Sequence, residues 1–188
     1  MVVRRDGYVR AALELLDEVG LSGLSLRKLG DKLGVQGPAL YAHFRSKQDL
    51  LDQMAEAMLD DKLAHLDEDP GQDWAEWLAD RARVIRRALL SHRDGARLHA
   101  GSRPTEQASI LPLIEPLLAA GFSEQEAEYA VLSVSRYTLG CAIDEQQRPA
   151  DADGAEAEPG EDPEASFEFG LRLVITGLRS IVRAAAAP

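Results

Sequence analysis

Residues 24–47 read as two short helices interrupted by a glycine, and this segment constrains the fold more than any other part of the chain. Leu26, Leu29 and Leu33 recur at spacings of three and four residues, which places them on one face of the first helix. Gly34 follows them and can adopt the left-handed backbone that ends a helix. The pattern predicts a helix-turn-helix, whose second helix can enter the major groove of DNA.

A plain helical hairpin with a glycine turn has the same spacing, so the composition of the second helix has to separate the two interpretations. No acidic residue occurs between Asp31 and Asp49. Aromatic and basic donors in that position lower the repulsion from DNA phosphates and fix the docking register, which favours DNA binding. The donors at the end of the segment are Tyr41, His43, Arg45 and Lys47.

The formal net charge of −11 at first disfavours binding to nucleic acid. The charge is uneven, however: residues 1–50 hold eight basic and six acidic side chains, and the remainder holds 13 basic and 26 acidic ones. Salt screens charges beyond roughly 8 Å at physiological ionic strength, so the local balance matters most. Only the first fifty residues are suited to face phosphates.

Length and composition indicate a folded protein without a membrane segment. At 188 residues and 45% hydrophobic content the chain can bury a substantial core. No apolar run approaches the roughly 20 residues that cross a bilayer, and no secretory signal is visible. The single cysteine, Cys141, is read as a core residue and fits a reducing cytoplasm, where we expect the protein to act. Because metalloprotease, Walker and serine-hydrolase motifs are missing, we expect no enzyme.

Helix signals recur along the whole chain and predict an all-α fold of about nine to ten helices. Gly20 is expected to end the first helix, and Ser25 is a candidate N-cap for the second. Ser123 and Glu126 form a capping-box pattern that opens a later helix. Two prolines within residues 105–120 predict a kink or a break there.

We expect two domains. Residues 1–47 are predicted to form a three-helix DNA-binding domain with the helix-turn-helix, and residues 48–188 a helical domain for ligand binding and dimerisation. Residues 48–66 are expected to be a helix that connects the two. The stretch 144–165 is acidic, contains prolines and lacks periodicity, which predicts a mobile loop.

The last predicted helix, over about residues 165–184, is apolar on more than one face. A central position in the core of one chain would account for this pattern. The functional alternative is that the helix packs against a second subunit together with the helix over residues 123–141. A two-fold DNA-binding protein reads two half-sites about one helical turn apart, which favours the homodimer.

Several runs of residues resemble the tetracycline repressor (TetR) family. In the DNA-binding part they are residues 11–20, 23–29, 33–35 and 38–44. In the second domain they are residues 87–97, His99, Gly101, 103–106 and 137–141. The resemblance spans nearly the whole chain and implies a dimer whose last two helices form a four-helix bundle across a two-fold axis.

The resemblance implies a set of DNA-binding residues around the third helix, expected over about residues 36–43. Arg27 and Lys47 match positions that touch phosphate or base. Gly37 and Ala42 stand where the tetracycline repressor has glutamine and tryptophan, which predicts a different operator. For Tyr41, the alternative to a DNA contact is an aromatic residue packed in the core. The full set is Arg27, Gln36, Gly37, Pro38, Ala39, Tyr41, Ala42, His43 and Lys47.

The resemblance also implies an effector pocket. His99 stands where the family's histidine binds a magnesium ion that tetracycline chelates, and Asp144 stands where a carboxylate approaches the metal from the other subunit. An imidazole and a carboxylate suit a divalent ion, so Mg²⁺ together with a chelating ligand is the implied cofactor. The matching pocket residues are Leu63, Arg81, Ile85, His99, Ser102, Arg103, Pro104 and Leu113.

Four pocket positions depart from the tetracycline repressor. Leu63 replaces a histidine, Arg81 an asparagine, Ile85 a phenylalanine and Leu113 a glutamine. Tetracycline would leave polar groups unpaired in such a pocket, which predicts a different effector. For His92 and Asp94, in the loop over residues 91–95, local hydrogen bonds within the loop are the favoured interpretation, although in the family this loop transmits ligand binding to the DNA domains.

These observations favour a cytoplasmic, homodimeric regulator that binds double-stranded operator DNA and is released by a small-molecule effector, with no membrane partner. The alternative is a carrier or an enzyme that uses the helical body alone. The residues leave open the effector, the operator sequence, the need for metal, repression as against activation, and the regulated genes.

Overall fold

The computed structural model describes residues 5–35, 37–63, 72–103, 111–148 and 162–185, and all regular structure within them is α-helical. The all-α prediction is therefore confirmed, and nine helices fall in these ranges. They are α1 (Arg5–Gly23), α2 (Leu26–Leu33), α3 (Gly37–Tyr41), α4 (Lys47–Leu63), α5 (Trp74–Leu90), α6 (Gly95–Gly101), α7 (Leu111–Ala119), α8 (Glu124–Gln147) and α9 (Pro163–Ala185). No helix in these ranges is long and apolar enough to cross a membrane.

The chain forms two compact units. The first comprises Met1–Ala64 and Arg87–Glu106, and the second comprises His65–Arg86 and Gln107–Pro188. Helices α1 to α4 and α6 belong to the first unit, and α7 to α9 belong to the second. Helix α5 contributes residues to both.

Local signals in the sequence set the turns of the helix-turn-helix. The Ser25 hydroxyl accepts a hydrogen bond from the backbone N–H of Lys28 at 3.2 Å and caps α2, as predicted. Gly34 ends α2 at φ 64° and ψ 28°, a left-handed conformation that glycine adopts without strain. Gly20 also leaves the helical region, at φ 70° and ψ 170°, so α1 breaks there before a last helical segment to Gly23.

One apolar core holds the first unit together. Leu26 and Leu29 of α2, Leu40 of α3 and Phe44 just beyond it are all buried in this core. Helices α1, α4 and α6 supply further members, which include Leu13, Leu16, Leu50, Met54 and Leu98. Helix α3 spans only residues 37–41, two residues shorter at its end than predicted, because the chain turns at 42–46 to bring Phe44 into the core.

A second cap fixes the turn between α3 and α4. The Ser46 hydroxyl accepts from the backbone N–H of Asp49 at 3.1 Å, and the Asp49 carboxylate accepts from the backbone N–H of Arg45 at 2.7 Å. Burial alone would raise the pKa of Asp49, but the hydrogen bonds from Arg45 and from Gln53 outweigh it, and the pKa lies below its ordinary value. An ionised carboxylate at the start of α4 also suits the helix dipole.

The second unit has its own core, built from α5, α7, α8 and α9. The predicted capping box opens α8: Glu126 N–H donates to the Ser123 hydroxyl, and Ser123 N–H donates to the Glu126 carboxylate at 2.9 Å. Helices α8 and α9 lie close together at Tyr137, whose hydroxyl donates to the Phe167 carbonyl at 2.9 Å. A methyl group at Gly170 would overlap that hydroxyl, so glycine permits the close approach.

Large apolar side chains remain on the outer faces of α8 and α9 in the single chain. Tyr129 is 58% exposed, Phe169 57% and Leu173 59%. Phe169 and Leu173 are one turn apart and therefore share a face of α9. Exposed apolar side chains of this kind are typical of a protein–protein interface and match the expected contact with a second subunit. Cys141, in contrast, is half-buried and packs against the core of its own unit, which fits the expected packing role.

The helices extend into both ends of the stretch 144–165, which the sequence predicts as a loop. Helix α8 continues to Gln147, and α9 already begins at Pro163 because the Asp162 carboxylate caps it, accepting from Glu164 N–H at 3.0 Å. The central part of that stretch lies outside the described residues. So do residues 64–66 of the predicted connecting helix and residues 105–110 of the proline-containing segment.

The cap of α2 generates a prediction for Ser25→Ala. Loss of an N-cap hydroxyl costs about 1 kcal/mol, which corresponds to a fall in melting temperature of about 2–4 °C for a chain of this size. Circular dichroism during heating measures the effect. The Ser25→Asp variant, which keeps a capping oxygen, is the control, and an equal loss in both variants would contradict the assigned cap.

Candidate DNA interface and effector site

The short helix α3 divides its side chains between core and surface. Leu40 is fully buried, whereas Tyr41 is 61% exposed and both Ala39 and Ala42 are exposed. The alternative of a core position for Tyr41 is therefore wrong. A helix anchored on one side and exposed on the other is what a recognition helix needs in order to reach base edges.

His43 is held more firmly than its position in the sequence indicates. Its ring centroid lies 4.8 Å from that of Tyr8 on α1, and Tyr8 also meets Phe44 edge-on at 6.4 Å. The backbone N–H of His43 donates to the Leu40 carbonyl at 2.9 Å. The imidazole is half-buried as a result and presents only part of its surface.

The predicted phosphate contacts lie at the starts of two helices. Arg27 is exposed in the first turn of α2, and Lys47 is exposed in the first turn of α4. Lys32 differs from both, because its ammonium group bonds Glu18 at 2.6 Å and lies 3.7 Å from Glu14. The hydrogen bond to Glu18 raises the pKa of Lys32. Its ammonium group is therefore paired with carboxylates of α1.

The remaining predicted DNA contacts are at the start of α3. Gly37 and Pro38 form its first turn, and Gln36 lies outside the described residues. Proline is well suited to the first turn of a helix, since the N–H it lacks has no partner there.

Helix α6 is bonded at both ends to helices of the first unit. At its start, the Asp94 carboxylate accepts from Leu21 N–H of α1 at 2.9 Å. At its end, the Gly101 carbonyl accepts from the Gln48 side chain of α4 at 3.0 Å. Arg103 N–H, two residues further on, donates to Asp52 of α4 at 2.9 Å. The position of α6 is therefore set by α1 and α4.

The interpretation of His92 and Asp94 as side chains with local hydrogen bonds is incomplete, because the local contact of the Asp94 carboxylate, with Arg97 at 3.5 Å, is accompanied by long-range bonds. His92 Nδ1 lies 2.9 Å from the Asp17 carboxylate, which also accepts from Arg93 N–H at 2.8 Å. Asp94 has a left-handed backbone at φ 56° and makes no side-chain cap to α6, because its carboxylate is bonded to α1 instead. These partners are more than 70 residues away in sequence, so no local pattern could reveal them.

His99 is the candidate site residue with the most distinctive surroundings. Its Nδ1 atom is buried and has no hydrogen-bond partner among the described residues. Burial lowers the pKa of the imidazole below its ordinary value, so the ring is neutral at pH 7. A neutral imidazole can coordinate a metal ion or hydrogen-bond a ligand.

Two other candidate effector residues of the first unit, Ser102 and Arg103, follow His99 closely in the chain. Ser102 donates its hydroxyl to the His99 carbonyl at 2.8 Å, and the Arg103 side chain is exposed. Leu63 is half-buried at the end of α4. Pro104 lies outside the described residues.

Four candidate effector residues belong to the second unit. Arg81 lies over the Trp77 ring at 5.8 Å, and Ile85 is half-buried one turn further along α5. Leu113 packs against the core from α7, and Asp144 is exposed near the end of α8. Within the described ranges no group of three or more His, Cys, Asp or Glu side chains could hold a metal ion.

A surface groove of about 450 Å³ runs between α5 and α9 in the second unit. Ala75, Ala79 and Leu171 form part of its apolar lining, and the ion-paired Arg83 and Glu168 border it. Arg81 and Ile85 do not line it, because helical periodicity places them on the opposite face of α5. The groove is therefore separate from the predicted effector residues.

Sequence reasoning missed the residues that hold these elements in place. Asp17 and Asp52 read as ordinary exposed acids of amphipathic helices, and Arg86 reads as one of several arginines on α5. Arg86 is nevertheless buried. A basic residue inside the apolar stripe of α5 is the one signal that could have singled it out.

Comparison with known proteins agrees with this geometry. Residues 9–54 match the family model for bacterial regulatory proteins of the tetR family, and residues 67–162 match the model for the tetracyclin repressor-like C-terminal domain. The tetracycline repressor protein class C of Escherichia coli is 40% identical over 95% of this chain and 92% of its own length.

Solved structures of TetR proteins are also similar to this chain. A TetR variant from Acinetobacter baumannii AYE in complex with minocycline superposes with a TM-score of 0.83 at 41% identity, covering 96% of this chain and 98% of that one. The class A TetR in complex with 5a,6-anhydrotetracycline and magnesium has a TM-score of 0.77 at 41% identity, covering 92% and 96% of the two chains.

The chain belongs to the tetR family of bacterial regulatory proteins. It is a DNA-binding transcriptional regulator that responds to a small-molecule ligand and forms a homodimer. The exposed face of α3 and the apolar faces of α8 and α9 are the structural counterparts of these properties.

The exposure of Tyr41 predicts that Tyr41→Ala weakens operator binding while the helical circular dichroism spectrum is retained. A contact that reads or positions DNA is worth about 1–3 kcal/mol, or roughly tenfold to hundredfold in Kd. Fluorescence anisotropy with operator DNA measures the change. Tyr41→Phe keeps the ring and separates its contribution from that of the hydroxyl, and unchanged affinity in both variants would remove α3 from the interface.

Proposed function

We propose that this protein is a cytoplasmic repressor that leaves its operator when a small-molecule effector binds. The observation that carries the proposal is the attachment of α6 at both ends to helices of the DNA-binding unit. The same short helix carries His99, the candidate effector residue. The cytoplasm is proposed because a repressor has to reach bacterial DNA, and relatives of this chain are named repressors.

The contacts of α6 provide a route from effector to DNA. A ligand that moves His99 displaces α6, and the bonds from Asp94 to α1 and from Gly101 to α4 carry the displacement to the helices that pack around α3. The effector has to bind the released state more tightly than the DNA-bound state. A difference of about 1–3 kcal/mol suffices for allosteric control.

For the effector itself, we favour a ligand that chelates Mg²⁺ through its own oxygen atoms. His99, with its buried and unpartnered Nδ1, fits a metal ligand, and Asp144 would supply a carboxylate from the partner subunit. Bound Mg²⁺ would link the chelating ligand to the protein. The apolar side chains of Leu63, Ile85 and Leu113 favour a ligand less polar than tetracycline at the matching positions.

The proposed DNA contacts are the exposed residues of α3, with Arg27 and Lys47 on phosphates. A mobility-shift assay with DNA from upstream of the protein's own gene tests the whole proposal, first alone and then with anhydrotetracycline and Mg²⁺. A salt-sensitive shift that the chelate reverses supports a repressor, whereas the absence of any shift favours a carrier or an enzyme.

His99→Ala is expected to raise the chelate concentration needed for half-release by about tenfold or more, because the imidazole would be a ligand of the bound metal. DNA affinity should stay the same, because His99 is not among the proposed DNA contacts. The His99→Asn variant places an amide near the Nδ1 position and should retain part of the response. Titration of the operator complex with anhydrotetracycline and Mg²⁺ is the measurement. An unaltered curve for His99→Ala would remove this residue from the effector site.

The bonds to α1 predict a different effect for Asp17→Asn. This change weakens the acceptor for His92 and Arg93, so we expect effector binding to persist and its effect on DNA affinity to fall several-fold. Glu14→Gln, one turn earlier on α1, removes only the contact with Lys32 and is the matched control. Parallel titrations measure effector binding and operator release. If the effector lowers DNA affinity equally in both variants, the proposed route through α1 is contradicted.

A further inference from the structure

Arg86 is a buried charge that joins three helices of the second unit. It is 5% exposed and lies on α5. Its guanidinium bonds Glu145 on α8 at 2.8 Å and also bonds Glu164 on α9. The same group lies over the Phe167 ring at 4.9 Å, so one side chain meets both carboxylates and an aromatic face.

The charge of Arg86 is retained despite its burial. Burial alone would lower the pKa of Arg86, but the hydrogen bonds to Glu164 and Glu145 outweigh it, and the pKa is raised. A buried guanidinium that lost its partners would be strongly unfavourable. Its Nε atom already lacks an acceptor among the described residues, so the two carboxylates provide the hydrogen bonds of the charge and the Phe167 ring adds a contact with its face.

The two carboxylates stand at the ends of neighbouring helices. Glu145 lies in the last turn of α8, which ends at Gln147, and Glu164 lies in the first turn of α9, which begins at Pro163. Helix ends fray readily unless side chains hold them. Arg86 therefore fixes the last turn of α8, and Asp144, the candidate metal-approaching carboxylate, is the residue next to Glu145 in that turn.

We infer that Arg86 is a positioning residue for the effector site: by holding Glu145 it sets the place of Asp144, and by holding Glu164 it fixes the start of α9. The inference rests on the proposed function insofar as Asp144 serves the effector. Its structural part, that the Glu145 contact orders the end of α8, is independent of any ligand.

The chain supplies a matched control one turn earlier on α5. Arg83 bonds Glu168 at 2.7 Å and Asp80 at 2.8 Å, so it also joins α5 to α9. Among the described residues it forms no ion pair with α8, and its side chain is 38% exposed. Arg83→Met therefore removes an ion pair between the same two helices while leaving the Glu145 contact intact.

Amide hydrogen exchange of the free homodimer tests the two contacts separately. Glu145→Gln should speed exchange in residues 141–148 by about tenfold and leave residues 162–170 unchanged, and Glu164→Gln should do the reverse. Arg86→Met should affect both segments, whereas Arg83→Met, which keeps the Glu145 contact, should leave residues 141–148 unchanged. Because the glutamate variants keep one partner for Arg86, they remain informative if Arg86→Met fails to fold. Uniform acceleration, or no change, in both glutamate variants would overturn the inference.

Operator release by anhydrotetracycline with Mg²⁺ then tests the functional part. Glu145→Gln should raise the half-release concentration by about tenfold, whereas Glu164→Gln and Arg83→Met should leave it within twofold of the wild type. Faster exchange at 141–148 without a change in release would refute the positioning of Asp144. If the wild type binds operator but the chelate does not release it, the proposed effector class fails, and the exchange pattern alone decides whether Arg86 orders the end of α8.

Discussion

The burial of one side of a five-residue helix is the constraint on which the rest of this structure depends. Helix α3 is far shorter than the roughly 12–15 residues that a helix needs to be stable by itself in water. Leu40 and Phe44 hold it against the first core, and this anchoring determines that Tyr41 points outward. The DNA-binding surface is thus a consequence of core packing in the first unit.

The same reasoning applies to α6, which has seven residues. A helix of this length takes its position from the groups bonded to its ends, here Asp17 and Leu21 on α1 and Gln48 and Asp52 on α4. An element with little stability of its own is easily displaced by a ligand. This property suits α6 to the role proposed for it, and it makes the bonds at its ends the points where coupling can be lost.

Much of the fold could be predicted because its signals are local. Ser25, Gly34 and the pair Ser123 and Glu126 act on backbone groups within three or four residues, and all of them do what their patterns indicate. The partners of His92, Asp94 and Arg86 lie 59 to 78 residues away, so their roles could not be read from any window of sequence. The interpretation of His92 and Asp94 as locally bonded missed these partners for this reason and covers only the contact between Asp94 and Arg97.

The sequence by itself determined the helical class, the position of the helix-turn-helix and the family, because periodicity, caps and motif residues depend on neighbours along the chain. Only the tertiary structure decided which side chains face outward and which charged side chains are paired with a partner. It exposed Tyr41, packed His43 against Tyr8, left His99 Nδ1 buried without a partner and enclosed Arg86 between two glutamates. Burial and long-range hydrogen bonds arise when distant segments pack together, and no local pattern encodes them.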